Sequence, residues 1–202
     1  MTEPRRIPTE NELRDAGALH VYDGEGNKVL FSELFADQKT IVVFIRHFFC
    51  GRCQEYVLAL AQIPENRLQE LNTRIVVIGC GEWQPIKSYS ERIAFKGAMY
   101  ADPSRNLYHA LGMDIEKLAT TPAGEAKRSY IRTNLLSVTL SSIWHGPVSH
   151  PNLIGKSGNI SQLGGEFILG PGNVCSFASR MQHTEDHVEV EDLLKAVEES
   201  QS

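Results

Sequence analysis

Cys50 and Cys53 stand two residues apart in the run Cys50-Gly51-Arg52-Cys53, while Cys80 and Cys175 are isolated. Two thiols at this spacing fit within one helical turn, where they can close a disulfide. The thiolate is the nucleophile of disulfide exchange and peroxide reduction, so whatever lowers the pKa of one of them makes it reactive near neutral pH. Arg46, His47 and Arg52 bring positive charge close by in sequence. Redox use is the first reading of such a pair, and metal binding is the alternative. A mononuclear zinc would need two more ligands, for which Cys80 and a histidine are candidates. An iron–sulfur cluster would take Cys50 and Cys53 from each of two subunits.

The surrounding elements set the context. Residues 40–45 (T-I-V-V-F-I) are continuously apolar and β-branched, as expected of a strand buried on both faces. Tyr56, Leu60, Ile63, Leu68 and Leu71 recur at helical spacing, so residues 54–71 read as a helix that Pro64 kinks or interrupts. The dithiol therefore lies where a strand passes into a helix. A helix N-terminus carries unpaired N–H groups and partial positive charge, and both favour a thiolate.

Several further residues have candidate roles. His47 can tune the thiolate or carry its proton, or else face the core with a satisfied hydrogen bond. Arg46 follows a run of apolar residues and needs a partner, for which a carboxylate such as Glu55 would serve. Glu55, in the first helical turn, complements the helix dipole and can accept a thiol proton. Cys80 ends the strand at residues 74–79 and can act as a third thiol if it reaches the same edge; a packed strand end is its other reading. Cys175 is expected to be packed and inert. His183 and His187 have metal-ligand spacing, but they precede the last helix, so a solvated loop is expected there.

Strands are also expected at 18–22, 98–101, 166–169 and 174–179. Helices are expected at 85–95, 103–111, with Asp102 as N-cap and Gly112 past its end, and 188–198. Residues 113–163 form an irregular insertion with a helical stretch at 128–144. Alternating strands and helices imply an α/β mixed sheet covered on both faces. Residues 1–17 read as an N-terminal arm and 18–202 as a single domain. The 202 residues are 42% hydrophobic and 22% charged, which excludes disordered and collagen-like chains. A net charge of −5 without a basic run argues against a nucleic-acid partner. No apolar window of about 18 residues implies a membrane span. The polar first eleven residues carry no apolar leader core, so a cytoplasmic location is expected.

The run I-V-V-F-I-R-H-F-F-C-G-R-C (41–53) resembles the thioredoxin active-site segment in its spacing of strand and C-x-x-C. Y-A-D-P-S-R-N-L-Y-H-A-L-G (100–112) and E-F-I-L-G-P-G-N (166–173) resemble segments of the AhpC/TSA, peroxiredoxin-like branch of that superfamily. R-H-F-x-C-x-x-C-x-E-Y (46–56), N-L-L-S (134–137) with Trp144 following, G-G-x-x-I-L-G-P-G-N (164–173) and Asp186-His187 are similar to the peroxiredoxin-like 2 group. The resemblance spans roughly residues 18–198. It implies a thioredoxin-like fold, an antioxidant thiol activity without a cofactor, a thioredoxin- or glutathione-type reductant, and a fold that allows a homodimer. It also implies departures. Peroxiredoxins carry P-x-x-x-T/S-x-x-C, which here places Cys53 at the attacking cysteine, Cys50 at the Thr and Arg46 at the proline. Arg128 and Arg132 are candidates for the family's distant peroxide-binding arginine. The cis-proline of thioredoxins would fall near Gly164-Gly165. In the thioredoxin manner Cys50 attacks and Cys53 resolves; in the peroxiredoxin manner the order reverses. Cys50, expected to be the more exposed thiol at the helix start, is the preferred nucleophile.

Overall fold

A computed structural model describes residues 2–132 and 155–200. Its centre is a seven-stranded sheet of β1 (His20–Tyr22), β2 (Lys28–Leu30), β3 (Lys39–Ile45), β4 (Thr73–Gly79), β5 (Ala98–Ala101), β6 (Gly165–Leu169) and β7 (Cys175–Arg180), in the order β2-β1-β5-β4-β3-β6-β7. β3, β4 and β5 are parallel; β6 runs antiparallel to β3, pairing Val43 with Glu166. This is the expected mixed α/β sheet. No helix among the described residues is long and apolar enough to cross a membrane.

β3 is apolar throughout because both of its faces are covered. Ile41, Val43 and Ile45 face one layer, built with α2 (Gly51–Ala61), α4 (Ile86–Ile93) and α6 (Val190–Glu199). Val42 and Phe44 face the other, built with α1 (Glu10–Gly17), a 3-10 turn at Phe31–Phe35 and α5 (Asn106–Ala110). The long helix expected at 54–71 is two helices. It breaks ahead of Pro64, which stands at the N-cap of α3 (Glu65–Glu70). The helix expected at 103–111 begins only at Asn106, because the Asp102 carboxylate first holds a turn. Its oxygens accept from the Ser104 hydroxyl at 2.6 Å and from the Leu107 N–H at 2.9 Å.

The expected N-terminal arm needs correction. Residues 10–17 form α1, started by a capping box in which Thr9 and Glu12 satisfy each other's backbone N–H groups. Its Leu13 and Ala16 are buried in the core, and the Arg180 guanidinium grips the carbonyls of Glu3, Pro4 and Arg6. The first residues thus belong to the domain. In the insertion, residues 128–132 form no helix. The rest of the expected helical stretch, with the N-L-L-S motif and Trp144, lies outside the described residues.

At Gly164, a Cβ would stand 1.7 Å from the Phe44 carbonyl oxygen. Only a bare backbone can approach β3 there, so Gly164→Ala is expected to prevent β6 from docking and to abolish soluble folded protein. Leu13→Ala is expected to cost about 2–5 kcal/mol in urea unfolding; an arm outside the domain would leave the midpoint unchanged.

Candidate active site

β3 ends at Ile45, and α2 begins at Gly51 after a five-residue connection. Cys50 occupies the N-cap, with extended backbone (φ −79°, ψ 110°), and its Sγ accepts the Cys53 N–H at 3.3 Å. A side-chain acceptor at this position replaces a missing intrahelical bond, and here the acceptor is sulfur. The geometry that starts the helix also places Cys50 Sγ against the helix N-terminus and Cys53 one turn further on. The turn is tied back by the Cys50 N–H donating to the His47 carbonyl at 3.0 Å.

The charges around the two sulfurs differ. Arg46 Nη1 donates to Cys50 Sγ at 3.5 Å. The hydrogen bond from Cys53 holds the Cys50 thiol well below its ordinary pKa, and the charges of Arg46 and His47 add to this against the opposing effect of burial. Cys53 is pushed well above its ordinary value, first by burial and then by its hydrogen bond and charge interaction with Cys50. The two thiols of one turn are therefore shifted in opposite directions. Exposure does not distinguish them as expected, since Cys50 is 5% exposed and Cys53 0%. The asymmetry is one of charge.

Arg46 is buried and does not pair with the expected carboxylate. Its second terminal nitrogen donates to the Ile160 carbonyl, so one guanidinium ties the thiol to the segment 155–163. Glu55 instead takes Arg52 Nη1 at 2.8 Å, and Arg52 Nε donates to Glu185 at 2.8 Å. His47 is buried, its imidazole pKa lowered chiefly by burial, and its Nδ1 has no hydrogen-bond partner. Arg128 pairs with Asp186, and Arg132 donates to Gln62. The arginine at the dithiol is Arg46, at the position where the peroxiredoxin pattern has proline.

The remaining cysteines stand apart. Cys80 packs in the other core layer, across the sheet from the dithiol, donates to the Asn159 carbonyl at 3.5 Å, and is pushed up to about 12 chiefly by burial. Cys175, half-buried at the start of β7, is pushed up to about 11, also chiefly by burial. Gly79 and Gly81 flank Cys80 for packing reasons. A Cβ on Gly79 would meet the Phe48 ring at 2.7 Å, and one on Gly81 the Lys156 carbonyl at 2.6 Å. The metal alternative has two sulfurs beside a guanidinium to work with. Among the described residues no group of three or more His, Cys, Asp or Glu is placed to hold an ion, so zinc or an iron–sulfur cluster would need ligands from outside them.

The loop at 183–187, expected to be solvated, is buried: His183, Thr184, Glu185 and His187 are all largely covered. His187 Nδ1 lies 2.5 Å from Glu166 Oε1, both side chains fully enclosed. The imidazole stacks on Tyr56 of α2 at 4.2 Å between ring centres. The backbone N–H of His187 donates to the Tyr130 hydroxyl, which itself donates to the Glu185 carbonyl. Sequence reasoning missed this cluster. Its one sequence signal is Glu166 itself, a carboxylate inside an otherwise apolar strand.

Residues 60–183 match the family described as AhpC/TSA antioxidant enzyme. That stretch begins beyond the dithiol, so it identifies the scaffold and leaves the chemistry to the geometry. Peroxiredoxin-like 2C of Homo sapiens is 38% identical over 179 residues, covering 89% of this chain and 77% of the relative. The Takifugu rubripes protein of that name is 30% identical over 201 residues, covering 96% and 86%. Among solved structures, peroxidoxin BcpB from Mycobacterium tuberculosis shares the fold with a TM-score of 0.61 at 11% identity, over 91% of this chain and 94% of that one. The chain belongs to the peroxiredoxin-like 2 group of the AhpC/TSA family, on a thioredoxin-like fold.

Proposed function

We propose that this protein is a thiol-dependent oxidoreductase that reduces peroxides, with Cys50 as the nucleophile and Cys53 as the resolving thiol. The observation that carries the reading is the pair of donors on Cys50 Sγ, the Cys53 N–H and the Arg46 guanidinium. The Cys50 thiolate attacks one peroxide oxygen and the O–O bond breaks. The other oxygen leaves with the electron pair and takes up a proton. Cys53 then attacks the Cys50 sulfenic acid, its proton leaves with the hydroxyl as water, and a disulfide remains. A reductant of the thioredoxin or glutathione class returns two electrons to the dithiol. The order of the two cysteines is that of a thioredoxin, while the family is that of the peroxiredoxins.

The test is a single-turnover titration of the reduced protein with hydrogen peroxide, followed by intact mass. Loss of two hydrogens is expected in the unmodified protein. Sulfenic acid should be trapped on Cys50 in Cys53→Ser, and Cys50→Ser should be inert. Trapping on Cys53 in Cys50→Ser would reverse the roles, and oxidation no faster than that of a model thiol would overturn the peroxidase reading.

The pKa shifts also give a pH dependence. Cys50 is depressed, so its thiolate persists below the ordinary value of 9.0. Its alkylation by iodoacetamide should hold a plateau that extends below pH 9 and fall on further acidification. Cys53 is raised, so its alkylation should begin only above pH 9. Arg46→Gln removes a charged hydrogen bond of about 1.5–3 kcal/mol, roughly a ten- to hundredfold effect on the thiolate equilibrium. The Cys50 plateau should move to higher pH in that variant.

A further inference from the structure

Arg46 brings a buried charge to Cys50, and its aim needs a cause. Nη1 donates to Cys50 Sγ at 3.5 Å, Nη2 donates to the Ile160 carbonyl, and Nε is enclosed without a partner. A guanidinium is planar, and its five N–H groups are fixed relative to one another. The direction of Nη1 toward the sulfur therefore depends on the bond at the other terminal nitrogen. It depends, that is, on where the Ile160 carbonyl points.

Ile160 does not set that direction by its own packing, since it is 52% exposed. The residue before it does. Asn159 Oδ1 accepts the Ser161 N–H at 3.0 Å and the Ser161 hydroxyl at 2.7 Å. An asparagine side chain that bonds the backbone two residues on makes a compact turn. The Asn159 carbonyl closes the same turn by accepting the Gln162 N–H at 3.2 Å. Both bonds span Ile160. Asn159 Nδ2 in turn donates to Glu116 at 2.6 Å, and Glu116 also takes Arg105. The Asn159 carbonyl has a second donor in Cys80 Sγ, at 3.5 Å.

Other contacts seat the loop against the end of β4. Gly158 has φ +73°, and a Cβ there would stand 2.4 Å from the Cys80 carbonyl oxygen. The Glu82 N–H donates to the Lys156 carbonyl at 3.0 Å. On the other side Gln162 is fully buried, and its amide donates to the Met113 and Leu163 carbonyls at 2.8 Å each. These contacts fix where the loop lies. The bonds of Asn159 fix the shape of the turn, and the carbonyl that this turn presents is the one Arg46 uses.

We propose that Asn159 is a positioning residue for the dithiol: the turn it closes holds the Ile160 carbonyl to Arg46, and so keeps the guanidinium on Cys50 Sγ. The inference rests on Cys50 being the activated thiol, but it does not depend on peroxide being the oxidant. The other groups that act on this sulfur, His47 and Cys53, sit on Cys50's own connection and helix.

The test follows the alkylation of Cys50 by iodoacetamide against pH, by peptide mass, in the reduced full-length protein. Asn159→Ala should move the acid limb of the profile to higher pH, with roughly three- to tenfold less thiolate at a fixed pH on that limb. In an Arg46→Gln background the same substitution should have no further effect, because the turn acts through the guanidinium. The exchange of Asn159→Asp with Glu116→Gln keeps an acceptor for the Ser161 N–H and returns a donor to position 159 from the other side. It should restore the unmodified profile, whereas Asn159→Asp alone, with two carboxylates side by side, should shift it.

A residue that serves the fold alone would lower the unfolding midpoint and leave the Cys50 profile in place, and that result in Asn159→Ala would overturn the proposal. So would a shift that persists undiminished in the Arg46→Gln background. If Asn159→Ala does not fold, Asn159→Asp decides, and an unmoved profile there sinks the inference. A profile that moves in Arg46→Gln but in neither Asn159 variant leaves the Cys50 assignment standing without it. A profile unmoved even by Arg46→Gln would overturn both.

Discussion

The first turn of α2 is closed by a sulfur atom. Cys50 Sγ accepts the Cys53 N–H and the Arg46 guanidinium together, and these two donors define the reactive site. Ser or Asp in this position would cap the helix as well and do no redox chemistry. Cysteine makes the cap weaker but chemically active: the partial charge that stabilises a capping oxygen stabilises a thiolate here. The second cysteine supplies the N–H that the first one holds. Helix initiation and thiol activation are thus one interaction, and the strand before it is the rigid post from which it is built.

That interaction is held within a set of buried charges, each with a stated partner. Arg46 is held between a sulfur and a carbonyl, Arg52 between two carboxylates, and Glu166 against an imidazole. Buried ions cost several kcal/mol each unless they are paired and hydrogen-bonded. Apolar replacements of similar shape would be more economical for stability alone. Arg52, Glu185, Glu166 and His187 nevertheless gather around α2 and the loop at 183–189. The opposite layer is built mainly from Phe31, Phe35, Phe44, Phe167 and their aliphatic neighbours, and Cys80, which lies there, is kept protonated.

Much of this was legible in the residues. Continuous apolar residues at 40–45 marked a strand buried on both faces, and the C-x-x-C after it marked a thiol at a helix start. What escaped had physical causes. Apolar periodicity shows α2 only from Gln54 onward, whereas the helix begins at Gly51 behind a cysteine cap. Thr9 and Glu12 spelled out a capping box, yet the polar residues around them looked like an arm. Arg46 takes a sulfur and a backbone carbonyl as partners, where a charge after an apolar run pointed only to a carboxylate. His187 and Glu166 are neighbours only in the folded chain, so spacing could not join them.

The tie between Arg46 and the Ile160 carbonyl joins positions 114 residues apart, and β3 waits for β6 over a similar length of chain. During synthesis the dithiol therefore emerges long before the carbonyl that holds Arg46 and before one of the strands flanking β3. Contacts this distant in sequence form late and slowly. The nascent chain passes through an interval in which both thiols are open to solvent and to whatever oxidants or stray disulfides are present, without the burial that separates their roles. The finished protein buries both sulfurs. The unfinished one does not, and its safety at that stage lies with the reducing capacity of its surroundings.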